Sequence, residues 1–137
     1  MLIDSIIGAA IEVHRELGPG LFESAYEHCL ALELAVRGLR VERQKTLPVT
    51  YKGVAIEQAF RPDLIVDGAV LVELKSVENL QRLHESQLLS YLRLSGYETG
   101  LLINFNVPIL KQGIRRLTRE WRRKQPSSRA PEPPAPP

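Results

Sequence analysis

Two acidic residues and a lysine lie close together in the middle of the chain. Asp63 is followed, after nine residues, by Glu73 and Lys75. Residues two apart in a strand share a face, so Glu73 and Lys75 point the same way in an extended segment. Two converging carboxylates bind a hard divalent cation such as Mg²⁺, while a nearby lysine orients or deprotonates a water, or neutralises charge on a phosphate. The three residues therefore suit metal-assisted hydrolysis of a phosphodiester.

The turn between the two acidic segments decides whether their carboxylates meet. A two-residue loop at Asp67-Gly68 puts the two acids on opposite faces of the hairpin, because side chains alternate along each strand. A three-residue loop over 66–68 pairs Ile65 with Ala69, puts both acids on one face and places the glycine in the left-handed conformation. We predict the three-residue loop, or a compensating bulge near Pro62.

Periodicity and turn residues outline the elements that hold these groups. Apolar residues recur at helical spacing in three segments, which predict helices over Leu2–Leu17, Leu21–Arg37 and Asn79–Ser95. Alternating or continuous β-branched and apolar runs predict strands. These cover Leu39–Tyr51, Val54–Phe60, Asp63–Val66, Ala69–Val77 and Thr99–Phe105. The segment Lys111–Arg123 fits either a strand or a basic helix. The order predicts an α/β or α+β domain with a mixed sheet.

Composition narrows the class of protein. The chain has 137 residues, 44% apolar and 25% charged, as expected for one globular domain. Its single cysteine, Cys29, excludes an intramolecular disulfide and a cysteine metal cluster. No apolar run approaches the ~20 residues of a membrane span, and the N-terminus lacks a basic signal region. We therefore expect a cytoplasmic protein with no membrane partner.

Charge is distributed unevenly along the chain. Residues 1–110 carry a net −4 and residues 111–137 a net +6. We predict a single domain over 1–124, followed at 125–137 by a disordered tail with six prolines in thirteen residues. A basic segment suits contact with the phosphate backbone of a nucleic acid, although a solvated tail fits equally well. The predicted nucleic-acid contacts are Lys111, Arg115, Arg116, Arg119, Arg122, Arg123 and Lys124.

Several ordered segments together resemble one family. The Pro62-Asp63…Glu73-Leu74-Lys75 spacing resembles the PD-(D/E)xK nuclease superfamily, and GLFESAY at 20–26 resembles the GxxExxY signature, which names a small bacterial family within it. Further matches are GAAIEVH at 8–14, LGPG at 17–20, HESQLLSY at 84–91 and GLLINF at 100–105. The resemblance extends over roughly 6–116.

The resemblance implies a restriction-endonuclease-like core, with a central mixed sheet flanked by helices. It implies Asp63 and Glu73 as ligands of Mg²⁺ or Mn²⁺ and Lys75 as the catalytic lysine. It adds Glu23 as a further metal ligand and catalytic residue, and Gln87 as a further catalytic residue. It also matches two tyrosines of less defined role, Tyr26 and Tyr91, which are candidate site-lining residues. Helical spacing places His84 on the same face as Gln87 and Tyr91, where it either lines the site or caps nearby polar groups.

These observations favour a metal-dependent nuclease that acts on DNA or RNA. The alternative is a binding module for nucleic acid or protein that keeps the fold without turnover, or a subunit of a larger complex. A homodimer also fits the small size of the chain. The proline-rich tail would suit a proline-binding protein partner.

Overall fold

Three helices and seven strands make up the part of the chain that the structure, a computed structural model, describes, namely residues 1–119. The helices are α1 (Leu2–Leu17), α2 (Glu23–Val36) and α3 (Arg82–Ser95). The strands are β1 (Val41–Arg43), β2 (Leu47–Tyr51), β3 (Val54–Phe60), β4 (Leu64–Val66), β5 (Val70–Lys75), β6 (Thr99–Asn104) and β7 (Ile114–Thr118). A 3₁₀ helix, Leu110–Gly113, precedes β7. No helix within residues 1–119 is long and apolar enough to cross a membrane.

A five-stranded mixed sheet forms the centre of the fold. Its strand order is β1-β4-β5-β6-β7, in which β5 and β6 run parallel and every other pair is antiparallel. The parallel pair needs a crossover connection, which α3 supplies. The predicted class, a mixed sheet flanked by helices, is confirmed.

The two faces of this sheet are covered by different helices. Val70, Val72 and Leu74 of β5 belong to the apolar cluster that includes α1 and α2, whereas Leu71 belongs to the cluster that includes α3. The alternation along β5 therefore directs Glu73 toward the α3 side of the sheet. Lys75, two residues further, shares that side.

The predicted strand Leu39–Tyr51 is in fact two strands that belong to different sheets. Gln44 adopts a left-handed backbone, with φ at 51°, and separates β1 from β2. Strand β1 joins the central sheet, while β2 and β3 form a separate two-stranded hairpin that is largely exposed. The alternation of apolar residues does not reveal the break between β1 and β2, because both strands are extended.

The hairpin between β4 and β5 has a three-residue loop, as predicted, but the loop is shifted by one residue. It comprises Asp67–Ala69, and Val66 pairs with Val70. Asp67 and Gly68 both have positive φ, at 53° and 62°, and Ala69 N–H donates to Val66 O at 3.0 Å to close the turn. Both registers keep the two predicted acids on one face, so the consequence drawn from the sequence holds.

The ends of the remaining elements differ little from expectation. The segment Lys111–Arg123, which fitted a strand or a helix, begins in the 3₁₀ helix and continues as β7, because Ile114–Thr118 pairs with β6 along its whole length. Its residues from 120 onward lie outside the described part of the chain. Gly96 ends α3 in the left-handed conformation with φ at 85°. Arg122, Arg123, Lys124 and the proline-rich segment 125–137 lie outside the described residues.

Candidate active site

Asp63 and Glu73 face each other across the β4–β5 hairpin. Continuing the strand register places Asp63 opposite Glu73, one residue before β4 begins. The backbone N–H of Asp63 donates to Glu73 Oε1 at 2.8 Å, and Asp63 Oδ2 accepts from Leu74 N–H at 2.8 Å. Each carboxylate is therefore held by the backbone beside the other acid, and the two side chains converge as the sequence predicts.

The electrostatic state of Glu73 follows from this close approach. The side chain is buried, with only 9% of the residue exposed. Burial, followed by the negative charge of Asp63, raises the pKa of Glu73 from 4.5 to about 8, and the positive charge of Lys75 opposes that rise. Two carboxylates that resist being charged together favour either a proton or a cation between them.

Lys75 is the last residue of β5 and is half-buried. Hydrogen bonds hold the backbone at Lys75 and just beyond it. Its carbonyl oxygen accepts from Phe105 N–H at 2.9 Å. Just beyond it, the Asn104 side chain accepts from Val77 N–H at 3.0 Å and donates to Val77 O at 2.9 Å. Asn104 is only 2% exposed. The sequence pattern did not single out Asn104, although a lone amide at the end of the apolar run 100–105 was a usable signal.

The α3 side of the site carries two of the predicted residues. Gln87 Nε2 donates to the Tyr91 hydroxyl at 3.4 Å. Burial and then the negative charges of Glu73 and Asp63 raise the pKa of Tyr91 above its usual value, which places its phenol within electrostatic reach of both acids. The ring of Tyr91 stacks on Phe60 at a centroid distance of 4.5 Å, so the base of the β2–β3 hairpin borders the site.

His84 caps the start of α3 and also lines the cleft beside that helix, so the two alternatives that the sequence left open do not exclude each other. Its Nδ1 accepts from Gln81 N–H at 3.0 Å in a reciprocal cap at the start of α3. A cleft of about 340 Å³ along α3 is lined by His84, Gln87 and Tyr91 among others. A larger cleft of about 530 Å³ lies beside Val70, at the other end of β5 from Lys75, and neither Asp63 nor Glu73 lines it.

Glu23 lies near the site but does not join the carboxylate pair. It is the first residue of α2, and its Oε2 accepts from the backbone N–H of Ser76 at 3.3 Å. Within residues 1–119, no group of three acidic, histidine or cysteine side chains is arranged to hold a metal ion. The predicted three-carboxylate ligand set is therefore not assembled, and Glu23 instead contacts the backbone that follows Lys75.

Tyr26 does not line the site, contrary to the prediction. It is fully buried and its ring stacks on Phe105 at a centroid distance of 4.4 Å, on the α1–α2 side of the sheet. Its hydroxyl donates to Gly18 O at 2.6 Å and accepts from Leu21 N–H at 3.1 Å. Leu21 O in turn accepts from the Ser76 hydroxyl at 2.6 Å, so Tyr26 braces the loop that touches the end of β5.

We expect Tyr26→Phe to lower the free energy of unfolding by about 1–2 kcal/mol, because the change leaves a backbone donor and acceptor of the α1–α2 loop without the hydroxyl. Urea denaturation measures the loss. Tyr51→Phe is the matched control, since Tyr51 is 60% exposed and its loss should stay within about 0.5 kcal/mol. Equal stability of the two variants would show that the hydroxyl does not brace the loop.

The described part of the basic segment does not form one cationic face. Arg115 and Arg116 alternate on β7, opposite Leu102 and Leu101, and so project to opposite sides of the sheet. Arg115 approaches Glu85 of α3 at 3.6 Å, and Arg119 forms an ion pair with Glu98. Arg116 is the exposed member of the three. The net charge of the segment does not show that its arginines project to opposite sides of the sheet, because that depends on the two-residue period of a strand.

A second buried acid lies behind the pair. Glu27 of α2 is only 8% exposed and accepts from Gln44 Nε2 at 2.8 Å and from Arg43 Nε at 3.3 Å. The same Gln44 Nε2 donates to Asp63 Oδ1 at 3.2 Å. Nothing in the sequence pattern singled out Gln44, because its position depends on the left-handed turn between β1 and β2.

The donor set of the site fits a hard divalent cation. Asp63 and Glu73 supply carboxylate oxygens, which Mg²⁺ and Mn²⁺ prefer. Mg²⁺ is commonly held by one or two carboxylates, with waters and substrate phosphate oxygens completing its octahedron. Burial, and then the negative charge of Asp63, raise the pKa of Glu73, so a further positive charge at the pair would be favourable. Two protein ligands therefore suffice for the fit.

The fold and this acid–acid–lysine arrangement define a class of protein. The chain belongs to the PD-(D/E)XK nuclease superfamily, whose sequence model matches residues 1–117. Members of this superfamily generally use divalent metals such as Mg²⁺ or Mn²⁺. No curated protein and no solved structure matches the chain significantly.

Proposed function

We propose that the protein is a metal-dependent nuclease of the GxxExxY family that hydrolyses phosphodiester bonds in DNA or RNA. One observation carries the proposal: Asp63 and Glu73 converge across the β4–β5 hairpin, and Lys75 lies on the same side of β5. Membership of the nuclease superfamily supports the same reaction class. Nucleic acid is accordingly the proposed partner.

Each residue of the site has a distinct role in this proposal. Asp63 and Glu73 would hold Mg²⁺ or Mn²⁺, which supplies Lewis-acid stabilisation of the negative charge that develops on the phosphate. The Lys75 ammonium lies on the same side as the acids and orients the attacking water or stabilises the developing charge. Gln87 and Tyr91, hydrogen-bonded to each other on α3, flank the position where the substrate phosphate would lie. Glu23 secures Ser76 and thereby the end of β5.

Cation binding would resolve the electrostatic conflict between the acids. Without a cation, Glu73 retains a proton up to about pH 8, because its side chain is buried and because Asp63 is close. Asp63 and Glu73 could both be charged if they held a divalent cation in place of that proton. Metal binding should therefore release a proton near neutral pH, and the apparent affinity should rise with pH.

The test is cleavage of single- and double-stranded DNA and RNA in Mg²⁺ or Mn²⁺, with a chelator as the metal-free comparison. Glu73→Ala removes one proposed ligand, and Glu57→Ala on the exposed β3 is the matched control. We expect wild type and Glu57→Ala to cut at least one substrate in metal only, and Glu73→Ala to lose cleavage. A folded wild type that cuts no substrate in either metal would contradict the proposal and favour a binding module.

A further inference from the structure

We infer that Gln44 is a positioning residue that fixes the Asp63 carboxylate by tying it to the buried Glu27. The inference rests on the proposed function and adds a residue outside the acid–acid–lysine set. Gln44 Nε2 donates to Glu27 Oε1 at 2.8 Å and to Asp63 Oδ1 at 3.2 Å. Gln44 backbone N–H donates to Asp63 O at 3.0 Å. One residue therefore holds both the main chain and the side chain of Asp63.

The orientation of the Gln44 amide is fixed by chemistry. An amide nitrogen carries two hydrogens and accepts none, so Nε2 satisfies two carboxylates at once. The opposite orientation would turn the amide oxygen toward two acceptors, which is unfavourable. Gln44 can therefore bridge Glu27 and Asp63 only when its amide nitrogen faces both carboxylates.

Glu27 anchors the other end of the bridge. It lies in the second turn of α2, is only 8% exposed, and is also contacted by Arg43 at 3.3 Å. A buried carboxylate needs hydrogen-bond partners, so removing Gln44 is costly at this end as well. The rigid helix therefore serves as the reference point for the position of Asp63.

The bridge completes the support of the Asp63 carboxylate. Leu74 N–H donates to Asp63 Oδ2 and Gln44 Nε2 donates to Asp63 Oδ1, so the carboxylate group is restrained from rotating. Each oxygen retains a further lone pair for a cation. Partners of this kind commonly change metal affinity or activity 10–100-fold when removed. Gln44 should therefore set the affinity of the site without touching substrate.

The experiment compares Gln44→Met with Gln58→Met. Methionine keeps the length of the side chain and removes the amide donors. Gln58 is a matched control, because it also adopts a left-handed backbone, with φ at 58°, but lies on the exposed β3. Calorimetry with Mn²⁺ alone gives the metal affinity, and cleavage at saturating Mn²⁺ separates kcat from KM. Gln44→Asn is a second variant, since asparagine tolerates positive φ but is too short to bridge both acids.

We expect Gln44→Met and Gln44→Asn to weaken Mn²⁺ binding by about tenfold or more and to lower kcat, while their KM for nucleic acid stays unchanged. The Gln58→Met protein should match wild type in Mn²⁺ affinity and in kcat. If wild type binds Mn²⁺ and cuts while the folded Gln44 variants match it, the inference is wrong and the proposed function stands. If wild type neither binds Mn²⁺ nor cuts, the proposed function fails and the inference fails with it. Should Gln44→Met not fold, the Gln44→Asn result decides.

Discussion

Lys75→Met is expected to lower the rate of cleavage about 10²–10³-fold while Mn²⁺ binding stays within about threefold of wild type. Lys75 is close enough to Glu73 to lower its pKa, so its charge acts at the paired acids. Methionine preserves most of the apolar stem and removes the ammonium. Both carboxylates remain, and the loss of a neighbouring positive charge does not disfavour a cation. The variant therefore separates the lysine from the metal ligands.

Lys52→Met is the matched control for this measurement. Lys52 lies at the exposed turn of the β2–β3 hairpin, with its ammonium 5.4 Å from the centre of the Tyr51 ring. The same chemical change there should leave cleavage within about threefold of wild type. Initial rates on the best substrate, together with calorimetry for Mn²⁺, provide both readouts. If folded Lys75→Met cuts as fast as Lys52→Met, Lys75 has no part in the reaction.

The sequence predicts the central features of this site because they depend on short-range geometry. The two-residue period of a strand fixes Glu73 and Lys75 on one side, whatever the rest of the fold does. Asp63 lies on the same face as Glu73 when the hairpin loop has an odd number of residues, so this convergence depended only on whether the loop length is odd or even. A loop shifted by one residue, as observed at Asp67–Ala69, preserves that parity. The acid pair was therefore predictable even though the exact register was not.

Residues contributed by helices were harder to predict. Glu23 and Tyr26 both lie in the signature segment, but the first binds the backbone of Ser76 and the second is buried against Phe105. Helical periodicity shows which residues share a face, and it does not show whether that face meets the site or the core. The distinction depends on how α2 crosses the sheet, which is a tertiary property.

The residues that brace the site from behind left the weakest sequence signal. Gln44 reaches Asp63 only because the backbone turns at a positive φ between strands of two different sheets. Asn104 acts through a parallel neighbour, β5, that lies almost thirty positions away in the chain. Such contacts depend on sheet order and on a strand break, neither of which has a periodic pattern.

Glu73→Gln is expected to stabilise the metal-free protein relative to wild type, by about 3–4 kcal/mol more at pH 8 than at pH 5. The pKa of Glu73 is about 8 in the folded protein, against 4.5 for an unperturbed glutamate. The folded state therefore binds more protons than the unfolded state between these values, and wild-type stability falls as pH rises. The maximum slope is about 1.4 kcal/mol per pH unit. Glutamine mimics the protonated acid, so the variant lacks this contribution.

Burial of Glu73, and then the charges around it, determine the size of this difference. Asp63 opposes ionisation, and Lys75 favours it. Urea denaturation of both proteins at pH 5, 6.5 and 8 in chelator isolates the contribution of Glu73, because other titrating groups are common to the two. Adding Mn²⁺ at pH 8 should then stabilise wild type more than Glu73→Gln, since only wild type offers two carboxylates. A stability difference that does not change with pH would show that Glu73 ionises normally, and the paired acids would then need no cation to coexist.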